Sequence, residues 1–232
     1  MCSKLLVVIW YLLAIVSSGC SGGFSSAQTA PDPTLAAHSI PLKSGYWDIA
    51  YSGFGYVNFS TDGSYVHYAP QASVAPAETH ATLLLTKKYD PSPLVNFRAT
   101  IKVTTVSQLR TPTPNAWETF WFFFNYKLDV NGKKMTNYFT LKPNGYELGT
   151  AFDEVGQTFL ATGGSPTLTL GTSNTMVLEM NNGVLTVSID GAQIFTYDNN
   201  TQVNKMYVHP GNFGLYCEDA EVLVNSVRIE PL

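Results

Sequence analysis

Charge is scarce in this chain. Of 232 residues, 13 are Lys or Arg and 17 are Asp or Glu, a formal net charge of -4, and no basic cluster occurs. Phosphate binding needs concentrated Lys and Arg, so no nucleic-acid partner is expected. His38, His67, His80 and His209 lack metal-ligand spacing, which argues against a zinc site. Nucleophile elbow, phosphate loop and dinucleotide fingerprint are all missing. Helical spacing is nearly absent as well, whereas two-residue alternation recurs from Trp47 to Ile229.

Long apolar runs are also lacking. The run from Leu5 to Val16 falls short of the roughly 20 residues a bilayer span needs. Lys4 precedes it and Ser17, Ser18 and Gly19 follow, the three parts of a secretory signal over residues 1–19. A retained membrane anchor is the alternative. The Ser18-Gly19-Cys20 end resembles the lipobox of bacterial lipoproteins, with Ser17 where leucine is commonest. That resemblance implies lipidation of Cys20 and contact with a membrane through this lipid only. The product would be exported, either as a membrane-anchored lipoprotein or secreted, and extracytoplasmic. Cys2 leaves with the signal, so Cys217 has no disulfide partner and reads as a buried small hydrophobe. Residues 20–41, rich in Ser, Ala, Pro and Thr, read as a flexible tether. Residues 42–232 then form one domain, expected to be a monomer.

Alternation is clean over Asn96 to Thr104, where Phe97, Ala99, Ile101 and Val103 face one way and Arg98, Thr100 and Lys102 the other. Asn131-Gly132, Asn144-Gly145, Asn182-Gly183 and Asp190-Gly191 are each a type I′ hairpin signal. The last two predict Met180 opposite Leu185 and Val187 opposite Ile194, apolar against apolar. Many strands with strong turns predict an all-β fold of two stacked antiparallel sheets, with a closed up-and-down barrel as the alternative.

The segment Trp117 to Tyr126 carries aromatics on both alternating faces, which places it inside a sheet covered on both sides. A type I′ turn at Asn131-Gly132 would set Asn125 opposite Tyr138, Phe123 opposite Thr140 and Trp121 opposite Lys142. Phe120, Phe122 and Phe124 would then meet Phe139 and Leu141 on a core face. A turn at Asn144-Gly145 would put Lys142 across from Glu147. One face thereby gathers Trp121, Phe123, Asn125, Tyr138, Lys142 and Glu147. Flat rings stack on the apolar face of a pyranose while amide, cation and carboxylate bond its hydroxyls, so this face is the candidate sugar-binding surface. An ordinary cross-strand ion pair beside exposed aromatics is the competing reading.

The closing stretch, Leu185 to Gly191, then Gly211 to Tyr216 and a last strand through Val227 and Ile229, resembles the end of concanavalin A-like lectin/glucanase jelly rolls. Trp117-Glu118, Trp121, Tyr138 to Gly145, Glu147-Leu148-Gly149 and Phe159 to Gly163 look like the central block of a secreted family with that fold and no assigned reaction. The resemblance implies a two-sheet antiparallel jelly-roll sandwich related to glycoside hydrolases and sugar-binding modules. It implies a polysaccharide or oligosaccharide partner, with Trp117 added to the ligand-binding set. Glu118 and Glu147 are the candidate catalytic acids, with Asp153 and Glu154 behind them. The Glu-x-Asp-x-Glu triplet of laminarinase-type members and the lyase motifs of this fold are missing. Carbohydrate binding therefore leads, a glycoside hydrolase or lyase in the same groove comes second, and a structural or adhesion lipoprotein third. No cofactor is required. Calcium, which this fold often binds, stays open through Asp48, Asp62 or Asp219.

Overall fold

The computed structural model describes residues 38–75, 78–87, 94–153 and 156–232. The expected signal peptide, the Cys20 lipid site, most of the expected tether and Glu154 lie outside the described residues. Regular structure among the described residues is all strand. In chain order the strands are β1 (His38–Ser39), β2 (Trp47–Tyr51), β3 (Tyr56–Phe59), β4 (Val66–Ala69), β5 (Ala81–Thr86), β6 (Phe97–Gln108), β7 (Phe120–Leu128), β8 (Lys134–Lys142), β9 (Gly145–Phe152), β10 (Gly156–Gly163), β11 (Ser173–Asn181), β12 (Val184–Ile189), β13 (Ala192–Asp198), β14 (Asn212–Glu218) and β15 (Ala220–Pro231).

They form two open antiparallel sheets. The eight-stranded sheet runs β13-β12-β11-β6-β15-β4-β3, with β1 added beside β15. The seven-stranded sheet runs β10-β9-β8-β7-β14-β5-β2. The jelly-roll sandwich is thus the observed fold, and the barrel is not.

Between the sheets lies the main core. Phe97, Ala99, Ile101 and Val103 of β6 are buried as their alternation predicts. Opposite them stand Phe120, Phe122 and Phe124 of β7 and Phe213 of β14. The Phe97 ring meets Phe213 edge-on at 5.0 Å and Phe124 at 5.8 Å. Cys217 sits on the same inner face, fully buried and unpaired, and burial pushes its thiol well above the ordinary range. It is a packing residue, as expected.

The folded part starts earlier than its composition suggests. Residues 38–41 fall in the expected tether, yet β1 pairs with β15, the Ile40 amide donates to the Val227 carbonyl at 2.8 Å, and Ile40 is buried. An edge left open by the last strand captures a short stretch that has little apolar content of its own.

Turn chemistry succeeds at one end of the chain and fails at the other. Asn182-Gly183 and Asp190-Gly191 adopt positive φ at both positions, 49° and 81°, 50° and 84°, as type I′ turns require. Met180 pairs with Leu185 as expected, but a bulge past Ser188 sets Val187 opposite Phe195 rather than Ile194. At Asn131-Gly132 only the glycine has positive φ. The loop there is longer, closed by the Gly132 amide on the Asp129 carbonyl and the Asp129 amide on the Lys133 carbonyl. The β8–β9 turn centres on Pro143-Asn144, so Lys142 pairs with Gly145. Gly145 is required there because a Cβ would lie 1.8 Å from the Gly163 carbonyl oxygen.

Candidate functional site

The longer loop, together with a bulge at Asn125, shifts β7 against β8 by two residues. Trp121 lies opposite Thr140 and Phe123 opposite Tyr138. Thr140 in turn lies opposite Glu147. A two-residue slip preserves the face, because side chains alternate with period two. Trp121, Phe123, Tyr138, Lys142 and Glu147 therefore do share the outer face of the seven-stranded sheet, although the paired partners differ from those expected.

On that face the aromatics are a floor rather than platforms. Trp121 is 2% exposed and Tyr138 is fully buried, so neither offers the open ring that stacking on a sugar needs, contrary to the expected binding surface. Their ring centroids are 4.6 Å apart with planes at 41°. Phe123 stacks on Tyr216 of β14 at 4.6 Å, and Tyr216 also meets Trp121 edge-on at 5.8 Å. The rings cover one another, with Leu83 beside them, and form a second small apolar cluster outside the main core.

Glycine explains how Tyr138 lies down. Gly149 stands opposite it, and a Cβ there would come within 2.3 Å of the Tyr138 hydroxyl. The ring crosses β9 over that gap and donates its hydroxyl to Glu147 Oε1 at 2.8 Å. Lys142 Nζ donates to Glu147 Oε2 at 2.6 Å. Both carboxylate oxygens of Glu147 are engaged. Burial first, and the Glu147 charge second, drive the Tyr138 hydroxyl well above the ordinary phenol range.

Glu118 belongs to a different cluster. It precedes β7, is fully buried, and accepts from Arg110 Nε and, at 2.8 Å, from Asn115 Nδ2. Arg110 Nη2 donates to Asp219 Oδ2 at 2.8 Å, and Asp219 also accepts the amides of Ser73 and His80. This bridge joins the segment ahead of β7, the segment ahead of β5 and the β14–β15 turn. Glu118 and Glu147 share no partner, and neither lines the groove described below. Asn125, at φ 55° in the bulge, is also buried and bonds the His209 carbonyl and Asn137. It holds the chain ahead of β14 and does not face solvent. Trp117 is 45% exposed, and its carbonyl accepts the Trp121 indole N–H at 2.8 Å.

Above the floor runs a groove of about 760 Å³. Its lining extends from Gln157 on β10 to Tyr51 on β2, across all seven strands of the sheet. Trp121, Phe123 and Tyr138 form part of its base, while Tyr126, Tyr216 and Glu218 contribute from β7 and β14. Glu218 is the group that reading the sequence missed. Alternation along β14 carries Gly214, Tyr216 and Glu218 outward while Phe213, Leu215 and Cys217 face the core. The period-two alternation of these residues is the signal that could have found it. Tyr216 donates its hydroxyl to Glu218 Oε1 at 2.7 Å. Burial raises the Glu218 carboxyl above its usual range, and the neighbouring Asp219 and Glu118 charges add to that.

The three aspartates named for calcium are apart. Asp48 pairs with Lys87, Asp62 accepts from the amide and hydroxyl of Ser64, and Asp219 holds Arg110. Among the described residues no group of three His, Cys, Asp or Glu side chains is placed to hold a metal ion.

No protein-family model matches the sequence, and no curated protein matches it. Solved structures do. A Bacillus subtilis protein of unknown function with a galectin-like fold is 13% identical, with a TM-score of 0.58 over 85% of this chain and 97% of that one. The carbohydrate-binding module CBM66 from Bacillus subtilis is 12% identical, with a TM-score of 0.52 over 79% of this chain and 94% of that one. The Bacillus licheniformis beta-glucanase is 10% identical, with a TM-score of 0.53 over 84% of this chain and 98% of that one. At such identities the likeness is one of fold, and the chain has the concanavalin A-like lectin/glucanase fold.

Proposed function

We propose that this protein is an extracytoplasmic carbohydrate-binding domain that holds a neutral polysaccharide along the groove of its seven-stranded sheet. The observation that carries the reading is the groove itself: tyrosines and polar side chains stand over a rigid aromatic floor across the full width of a sheet. Crossing seven strands takes six inter-strand steps, about 29 Å, which suits a chain of several sugar units. Tyr51 and Tyr126 offer rings at the groove, and Gln157 and Glu218 offer hydrogen bonds to hydroxyls. Among the solved structures of like fold are a carbohydrate-binding module and a beta-glucanase, which supports a sugar ligand.

Charge favours a neutral glycan over a uronate polymer. Glu218 and Asp153 line the groove, Lys133 pairs with Asp153, and Lys134 Nζ lies 6.0 Å from the Tyr51 ring centroid. The two carboxylates and the two ammonium groups balance, so the groove offers no cationic excess to hold the carboxylates of an acidic polymer. Binding is also favoured over hydrolysis, because Glu118 is locked on Arg110 and Glu147 on Lys142 and Tyr138. Export by the N-terminal signal, with or without a lipid on Cys20, is part of the same proposal and would place the groove where large polymers occur.

Affinity electrophoresis in gels containing mixed-linkage β-glucan, laminarin, galactomannan, levan or polygalacturonate tests it. Retardation by a neutral polymer, with no new reducing ends on incubation, is the expected result. Retardation only by polygalacturonate, or by none of them, contradicts it.

A further inference from the structure

At one end of the groove stands an aromatic ring that the floor does not include. Phe54, in the β2–β3 connection, is 84% exposed. Its φ is +63°, a conformation that is a genuine outlier for a bulky side chain. Such strain persists only where the surroundings over-determine the backbone, and it concentrates at ligand-binding positions.

The surroundings here do over-determine it. Thr82 Oγ1 donates to the Ser52 carbonyl at 3.0 Å, and the Gly55 amide returns to the same carbonyl at 3.1 Å. The Gln71 amide donates to the Gly53 carbonyl at 2.9 Å. Both flanking glycines are packed backbone against backbone: a Cβ on Gly53 would lie 2.5 Å from the Ala81 carbonyl oxygen, and one on Gly55 1.9 Å from that of Ala69. Three hydrogen bonds and two close approaches thus hold a loop whose central residue points a phenyl ring at water.

The loop that carries this ring abuts the groove at Ala81, on whose carbonyl Gly53 packs. The ring lies edge-on to His80, centroids 5.6 Å apart. His80 sits between Thr79 and Ala81, both of which line the groove, and its Nδ1 is fixed on the Gln71 carbonyl at 2.7 Å. Gln71 therefore braces the Phe54 loop with its amide and the His80 ring with its carbonyl. Burying an exposed phenyl by folding it back would remove apolar surface from water, and this loop does not allow it.

From these contacts we infer that Phe54, held by the Ser52, Gln71 and His80 contacts, is a rim platform that stacks on one further sugar of a glycan chain leaving the groove past Ala81. The inference rests on the carbohydrate reading and sharpens it: the ligand is a polymer longer than the groove.

Calorimetry with wild type, Phe54→Ala, Phe54→Trp and Tyr126→Ala tests it, using mixed-linkage β-glucan, laminarin, galactomannan and levan, each as polymer and as di- to tetrasaccharide fragments. The expected result is a polymer affinity about tenfold weaker in Phe54→Ala, a difference of about 1.4 kcal/mol. Fragment binding should be unchanged in that variant, and Phe54→Trp should restore the polymer affinity. Equal polymer affinity in Phe54→Ala and wild type, with loss in Tyr126→Ala, overturns the rim platform and leaves the groove reading standing. Absence of binding by wild type to every probe overturns both.

Discussion

The indole of Trp121 and the phenol ring of Tyr138 lie 4.6 Å apart on neighbouring strands, tilted at 41° and buried, beneath a groove and not inside it. A sugar cannot stack on rings that are already covered, so the two residues act on function through the shape of the floor. Trp121→Ala is expected to cost about 3 to 5 kcal/mol, the range for truncating a large core aromatic. Denaturant unfolding checks it. A loss below about 1 kcal/mol would mean that the ring is dispensable to packing.

Tyr138→Phe separates the hydroxyl from the ring. Packing stays, but the Glu147 carboxylate loses its 2.8 Å donor and keeps Lys142. A hydrogen bond to a charged group contributes about 1.5 to 3 kcal/mol, and the unfolding free energy should fall by that amount. Gly149→Ala should destabilise too, since its methyl would collide with the Tyr138 hydroxyl that lies across it.

Arg110→Ala is expected to be among the most damaging single changes in this protein. It strands Glu118 and Asp219, both fully buried, without their cation. Breaking such a pair costs about 3 to 5 kcal/mol. The denaturation midpoint reads this directly, and Glu118→Gln should likewise show itself first in stability.

Glu218 links the groove to pH. Burial holds its carboxyl above the ordinary range in the folded protein. A raised folded-state value means that the group's contribution to stability is present below the unfolded carboxylate value and is lost as pH rises through the folded value. Glu218→Gln, neutral throughout, should match wild type in acid and exceed it in thermal stability once pH passes that raised value. Melting curves across a pH series decide it; a difference that does not change with pH contradicts the assignment.

Much of the architecture was legible in residues, and the reason is periodicity. The two-sided aromatic run Phe120 to Phe124 marks a central strand, and Asn182-Gly183 fixes a register that the structure keeps. Faces survived where pairings did not, because the five residues from Asp129 to Lys133 and the bulge at Asn125 add up to a shift of two. An Asn-Gly dipeptide signals tolerance of positive φ but not loop length, and nothing local announces a bulge. Exposure was misjudged for a different reason. Alternation tells which face Trp121 and Tyr138 occupy, but not that Tyr216, Phe123 and Leu83 cover that face. The Arg110 bridge to Glu118 and Asp219 was invisible because its members lie 8 and 109 positions apart in loops.

On the reading proposed above, the groove holds the ligand and the Lys142–Glu147 corner does not. Calorimetric titration of wild type, Tyr126→Ala and Glu147→Gln with the neutral polysaccharide that retards the protein tests it most directly. Wild type and Glu147→Gln are expected to bind, and a folded Tyr126→Ala is expected not to. Binding that survives Tyr126→Ala but disappears in Glu147→Gln would contradict that reading.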